Sequence, residues 1–272
     1  HLVADDGRHY LATNPTRYDI IELTGVDSYS GTPAAAHVFS ESYLYTEEAF
    51  DLYLSRLTNR GILCMQRLEH PQPREMLRAL ISAEQALRRA GSRRPDAHIA
   101  LLAADDGEFA TLLVMRSPFT PDELSRLSQC AGRTPHFSMA TMPGSSHLKL
   151  NAYQRYLHAS QQGAGAAFVR SSQFDLRPGT DDRPFFFRFT YWQHLLESGH
   201  LVPFFELSLL LLLVVTTAAA VGCIYLPLLL LTRNKRSQGQ TGRYGLYFAS
   251  IGIGFLFYEL AFLQKLGILL GH

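Results

Sequence analysis

The stretch 18-YDIIELTGVDSY-29, with 43-YLYTEEAFDLYL-54 and 61-GILCMQ-66 after it, decides how this chain is read. Tyr18–Leu23 is a short apolar run that ends in Thr24-Gly25-Val26-Asp27-Ser28-Tyr29. A helical segment follows from Tyr43 to Leu57, and Gly61 turns the chain into a second apolar run, Ile62–Gln66. Strand, loop, helix, glycine turn and strand make a parallel crossover unit. In open α/β sheets, ligands bind beyond the carboxyl ends of such strands. The loop 24–29 lies at one such end and Gln66 at the next.

Four blocks extend this pattern: "DDGRHYL" at 5–11, "YDIIEL" with "VDS" at 18–28, "LYTEEAFDLYLSRLTNRGILCMQ" at 44–66, and "TDDRPFFF" at 180–187. Together they resemble the spermidine synthase (polyamine aminopropyltransferase) family, a branch of the class I methyltransferase-like, Rossmann-like superfamily. The likeness is to bacterial membrane members of that group. It covers residues 1–190 and the helix "GIGFLFYELAFLQKLGILLG" at 252–271.

The resemblance implies aminopropyl or another alkyl transfer to a small-molecule amine. The cosubstrate would be decarboxylated S-adenosylmethionine or S-adenosylmethionine, with no metal. Asp6 matches the aspartate that contacts the adenine amino group; its alternative reading is an Asp-Gly turn that caps the next helix. At the first strand end the family carries two aspartates three apart. The matching residues here are Thr24 and Asp27. An amine must be neutral to attack, so a carboxylate has to take its proton, and a threonine hydroxyl cannot. Asp27 is thus the catalytic candidate. Gln66 and Tyr29 are the substrate-side candidates, and Asp6 with Thr24 the cosubstrate-side ones. Glu22 shares a strand with Thr24 and reads equally as structural. Tyr43 and Tyr45 read as packing, and Cys64 as a small core residue.

Two function classes stay open. One is a membrane-bound transferase. The other is a non-catalytic ligand-binding or transport-associated module that kept the fold and lost the base.

At 272 residues the chain has room for one domain and an additional segment. A formal charge of +1 shows no bulk attraction for nucleic acid. The three cysteines, Cys64, Cys130 and Cys223, lie far apart, and no CxxC or His-rich spacing supports a disulfide framework or a zinc site. No glycine-rich nucleotide loop occurs in the first 60 residues, so the expectation is a domain whose nucleotide-binding start lies upstream. His1–Ala4 reads as the end of a strand.

The expected architecture is α/β: the C-terminal part of a class I methyltransferase-like sheet, mainly parallel, followed by two transmembrane helices. Strands are expected near 18–23, 62–67, 98–103 and 109–116, the last two an antiparallel pair joined by Asp105-Asp106-Gly107. Helices are expected over 74–90, after the Thr120 cap with Pro121, and over 148–160. Arg78, Arg88, Arg89, Arg93 and Arg94 form a basic cluster that reads as a solvated face or a contact with anionic lipid. Asp181, Asp182 and Arg183 read as a structural junction.

The domains are 1–190, a junction at 191–203, a span at 204–231, a basic linker at 232–243 and a second span at 244–270. Leu207–Leu231 are 25 residues without a charge, enough at about 1.5 Å each to cross a ~30 Å core. Glu259 and Lys265 interrupt the second span, and Glu259 is the intramembrane polar candidate. Gly245, Ala249 and Gly252 make a stripe suited to close helix packing. The expected partners are therefore the lipid bilayer and a second copy or further transmembrane helices, in a bacterial inner membrane. Arg233, Lys235, Arg236 and Arg243 make the linker cytoplasmic by the positive-inside rule. A single crossing then puts residues 1–190 outside, where a nucleoside cosubstrate is not expected, so sidedness stays open.

Overall fold

A computed structural model describes residues 2–26, 41–68, 72–104, 109–144, 151–191, 204–232 and 238–270. The chain divides into two units, His1–Leu209 and Leu210–His272.

The first unit opens on helix α1 (Gly7–Thr13) and strand β1 (Tyr18–Thr24). Residues 2–4 form no strand, and Leu2 and Val3 are exposed; no strand among the described residues offers them a ladder. Helix α2 (Glu47–Arg56) is capped by Thr46, whose hydroxyl accepts from the Ala49 amide at 3.3 Å. Glu47 and Glu48 in its first turn and Arg56 in its last suit the helix dipole. Its apolar face, Ala49, Phe50, Tyr53 and Leu54, is buried.

Strand β2 (Leu57–Leu68) starts where α2 stops, so Gly61 lies inside the strand and does not form the expected turn. Tyr18 pairs with Leu57 and Ile20 with Ile62, so β2 bulges over 58–61. A Cβ on Gly61 would sit 2.7 Å from the Tyr18 carbonyl oxygen and 2.9 Å from the Thr58 nitrogen. Glycine is required there by close backbone approach.

Helix α3 (Glu75–Arg89), strands β3 (Ile99–Ala104) and β4 (Phe109–Met115), and helix α4 (Pro121–Arg133) follow near their expected places. The Asp105-Asp106-Gly107 turn lies outside the described residues. Thr120 and Glu123 form a reciprocal capping box at the start of α4. Strand β5 (Phe137–Thr141) and helix α6 (Gly165–Ser171) were not expected, and helix α5 (Ala152–Gln161) covers the end of the expected 148–160 segment.

The sheet runs β1-β2-β4-β3-β5. Only β1 and β2 are parallel; β2–β4, β4–β3 and β3–β5 are antiparallel. The described sheet is therefore mixed and mostly antiparallel, not mainly parallel. The reason is that the β3–β4 hairpin enters beside β2 through β4. Helices α2 and α3 pack on one side of it. Buried residues from that core include Leu63, Met65, Leu112 and Val114 in the strands, and Phe50, Leu80 and Ile81 in the helices. Each such side chain stabilises the fold by about 1.5–3 kcal/mol. The opposite face is open at β1, where Ile20, Glu22 and Thr24 are exposed.

The basic cluster read along α3 is not a common face. Arg78 is buried, Arg88 pairs with Glu84, Arg89 with Glu47 and Asp51, and Arg94 with Asp96.

Helices α7 (Phe204–Thr232) and α8 (Gln238–Leu270) close the chain. Two spans were expected, but among the described residues one segment, Tyr244–Phe262, is long and apolar enough to cross a membrane. In α7, a helix of 29 residues, the apolar stretch among the described residues is Leu210–Cys223. Among the described residues, the expected packing through the small-residue stripe is not seen at Ala249 or Gly252. Ala249 is exposed, and a Cβ on Gly252 would meet nothing within 4 Å.

Candidate functional site

The parallel pair brings two of the candidates face to face. Thr24 pairs with Gln66, and Glu22 with Cys64, at the carboxyl ends of β1 and β2. Alternation along a strand puts Glu22 and Thr24 on one side. The Thr24 hydroxyl donates to the Glu22 carboxylate at 3.0 Å. Glu22 is exposed, so the buried structural role weighed for it does not apply. Gln66 is half-buried between Thr24 on β1 and Thr111 on β4. Cys64 is half-buried too; burial, and then the Glu22 charge, push its thiol pKa up, which makes it a poor nucleophile.

After Thr24 the chain turns at Gly25, whose φ of 60° is open to glycine without strain. Asp27 and Tyr29 follow and lie outside the described residues. The strand ends therefore hold a hydroxyl, a carboxamide and one carboxylate on an open sheet face. Such a set can hydrogen-bond an amine and attract a cation.

Asp6 lies on another element, ahead of α1. Its carboxylate caps α1, accepting from the His9 amide at 2.8 Å. Tyr45 is a packing residue: it is fully buried, its ring stacks 4.4 Å from that of Phe186, and its hydroxyl accepts from Arg67 at 2.7 Å. Tyr43 is half-exposed and donates to Glu41 at 3.0 Å. Asp181 in the "TDDRPFFF" block is held by Arg8, with Thr46 donating to it at 2.8 Å. The guanidinium holds the Asp181 carboxyl below the usual carboxylate range. Glu259 lies on an exposed part of α8, with no ion pair among the described residues. Nor do three His, Cys, Asp or Glu side chains converge as a metal site among them.

Sequence reasoning placed Arg78 on a surface and so missed that it lies beneath the "TDDRPFFF" block. The available signal was its place in the run Met76-Leu77-Arg78-Ala79-Leu80-Ile81, an arginine inside an apolar stretch.

No family model matches the chain. Over 68 residues it is 38% identical to polyamine aminopropyltransferase 2 of Pseudomonas aeruginosa. The chain is similar to an aminopropyltransferase over a quarter of its length. That stretch is 25% of this chain and 18% of the relative, so the chain spans under a fifth of the curated protein it matches. Among solved structures, a probable spermidine synthase from Corynebacterium glutamicum aligns with a TM-score of 0.35 at 17% identity, covering 55% of this chain and 56% of that one. The spermidine synthase of Thermotoga maritima aligns with a TM-score of 0.26 at 16% identity, covering 59% and 45%.

Proposed function

We propose that this chain acts as a membrane-bound, spermidine synthase-like transferase. It would move an aminopropyl or other alkyl group from an S-adenosyl-type donor, decarboxylated S-adenosylmethionine foremost, to an amine. The observation that carries this reading is the pairing of Thr24 with Gln66 at the carboxyl ends of two parallel strands. The partial identity to an aminopropyltransferase supports it.

The amine lone pair attacks the carbon beside the sulfonium. A nitrogen–carbon bond forms, the carbon–sulfur bond breaks, and its electron pair leaves with sulfur as a neutral thioether. The amine proton must pass to a carboxylate. Asp27 takes that role, Gln66 and Tyr29 orient the amine, and Asp6 and Thr24 serve the donor. The second reading, a ligand-binding or transport-associated module, is favoured by Thr24 itself. A hydroxyl stands where the resembled family has a carboxylate, and it is already tied to Glu22.

The proposed location is a bacterial inner membrane, with α7 and α8 as spans and the Gly245, Ala249 and Gly252 stripe facing a second copy or another helix. Large exposed apolar side chains along Leu210–Cys223 and Tyr244–Phe262 support a lipid environment. In α7 the Thr216 hydroxyl donates to the Leu212 carbonyl at 2.8 Å, as an apolar solvent demands.

Product formation by the full-length protein, given decarboxylated S-adenosylmethionine and a panel of di- and polyamines, tests the transferase. Absence of product from both wild type and Thr24→Asp, with calorimetry showing a folded protein, would sink it.

A further inference from the structure

The segment 175–188 folds back over α3 and leaves a cleft of about 610 Å³. Arg78, Asp175, Arg177, Arg183 and Arg188 line it, four guanidiniums against one carboxylate. Asp175 is already engaged: Arg177 donates to both of its oxygens, at 2.8 and 2.5 Å.

Arg78 is 2% exposed. Its guanidinium donates to the main-chain carbonyls of Asp175, Phe185, Phe186 and Arg188, and it lies 4.2 Å from the Phe189 ring centre. Those carbonyls satisfy hydrogen bonds but carry no net charge, and its Nε is buried without a partner. Burial pulls the Arg78 pKa down to about 10; the Asp175 charge opposes this, and those of Arg177 and Arg188 add to it. Arg177 and Arg188 line the same cleft as Arg78. Arg183 stands exposed at the same cleft. A guanidinium buried on carbonyls alone, as Arg78 is, is costly unless a negative charge comes near it.

We propose that this cleft binds a phosphate-bearing anion. Planar guanidinium forks match phosphate oxygens in pairs. A group with several charged oxygens serves convergent arginines better than a single carboxylate does. The ligand is either soluble phosphate or the phosphodiester of an anionic lipid headgroup, and the two share this chemistry.

The test uses the full chain in phosphatidylcholine nanodiscs, with and without phosphatidylglycerol, beside the Arg183→Glu variant. Calorimetric titration with inorganic phosphate in pure phosphatidylcholine reads the soluble source. Native mass spectrometry of retained phosphatidylglycerol reads the headgroup source. Binding in either arm that weakens roughly tenfold or more in the variant supports the site, because a charge-assisted contact is lost and reversed. Added salt should weaken it as well. Where the charge reversal disturbs folding, Arg183→Gln gives the same comparison. No binding in either arm, or binding equal in wild type and variant, overturns the proposal.

Discussion

Arg8 on α1 donates two parallel bonds to Asp181, at 2.7 and 2.6 Å, across 173 residues of sequence. The pair ties the start of the chain to the "TDDRPFFF" block, and Thr46 ahead of α2 joins it. Three segments far apart in sequence thus meet at one carboxylate.

Removing that carboxylate should therefore loosen the first unit. The Asp181 side chain is 41% exposed, so Asp181→Asn should cost only ~1 kcal/mol, near the upper end for a solvent-screened pair. Its pKa is depressed in the folded state, chiefly by the bond from Arg8. The stabilisation is then fully present above the unfolded value of about 4 and is lost as pH falls through the folded one. Melting curves of wild type and variant should differ at neutral pH and converge in acid. A gap that persists unchanged at low pH would contradict this account.

The bulge at 58–61 makes Gly61→Ala a local test of the β1–β2 pairing. The added methyl would meet the Tyr18 carbonyl oxygen at 2.7 Å and the Leu57 Cβ at 3.0 Å, which is backbone and packed side chain. A loss of about 1–3 kcal/mol is expected, as for overpacking in a closed site. Calorimetry of the variant measures it; an unchanged melting temperature would mean that the bulge is not there.

The pair Arg67–Glu75 closes at 2.9 Å, with side chains 3% and 10% exposed. Glu75→Ala should cost about 3–5 kcal/mol, because it leaves a buried guanidinium short of its carboxylate. Replacing both residues by apolar ones of similar volume should restore much of that loss. Denaturant melts of the single and double variants decide it. A double variant no better than Glu75→Ala would refute the desolvation argument.

The proposed chemistry predicts an asymmetry between two substitutions. Asp27→Asn should lower turnover by about 10²–10⁴-fold, the usual cost of losing a positioned base. Thr24→Asp should raise it, since it puts a carboxylate opposite Gln66 at the strand end. Steady-state assays with decarboxylated S-adenosylmethionine measure both. Turnover that survives Asp27→Asn would remove Asp27 from the base role.

The membrane proposal predicts that alkaline carbonate leaves the full-length protein in the membrane pellet. Release into the supernatant would show that Tyr244–Phe262 does not hold it in lipid.

Much of the strand-end site was legible in the sequence, because it depends on local pattern. Apolar runs ending at Thr24 and Gln66, with a helix-period segment between them, imply a crossover and place both residues at strand ends. The same holds for the Thr120 cap and the apolar character of the last helices, which need only short-range spacing or composition. The tertiary structure decided what depends on distant backbone. Gly61 looked like a turn, yet its role comes from the Tyr18 carbonyl oxygen lying where a Cβ would be. Asp181 reads as a structural residue in the sequence, but only the fold names its partner, Arg8. Arg78 counted as one of five surface cations until carbonyls from 175–188 were seen to close over it. A charge in a sequence says nothing of what surrounds it, and for a buried guanidinium the surroundings are the whole of its energetics.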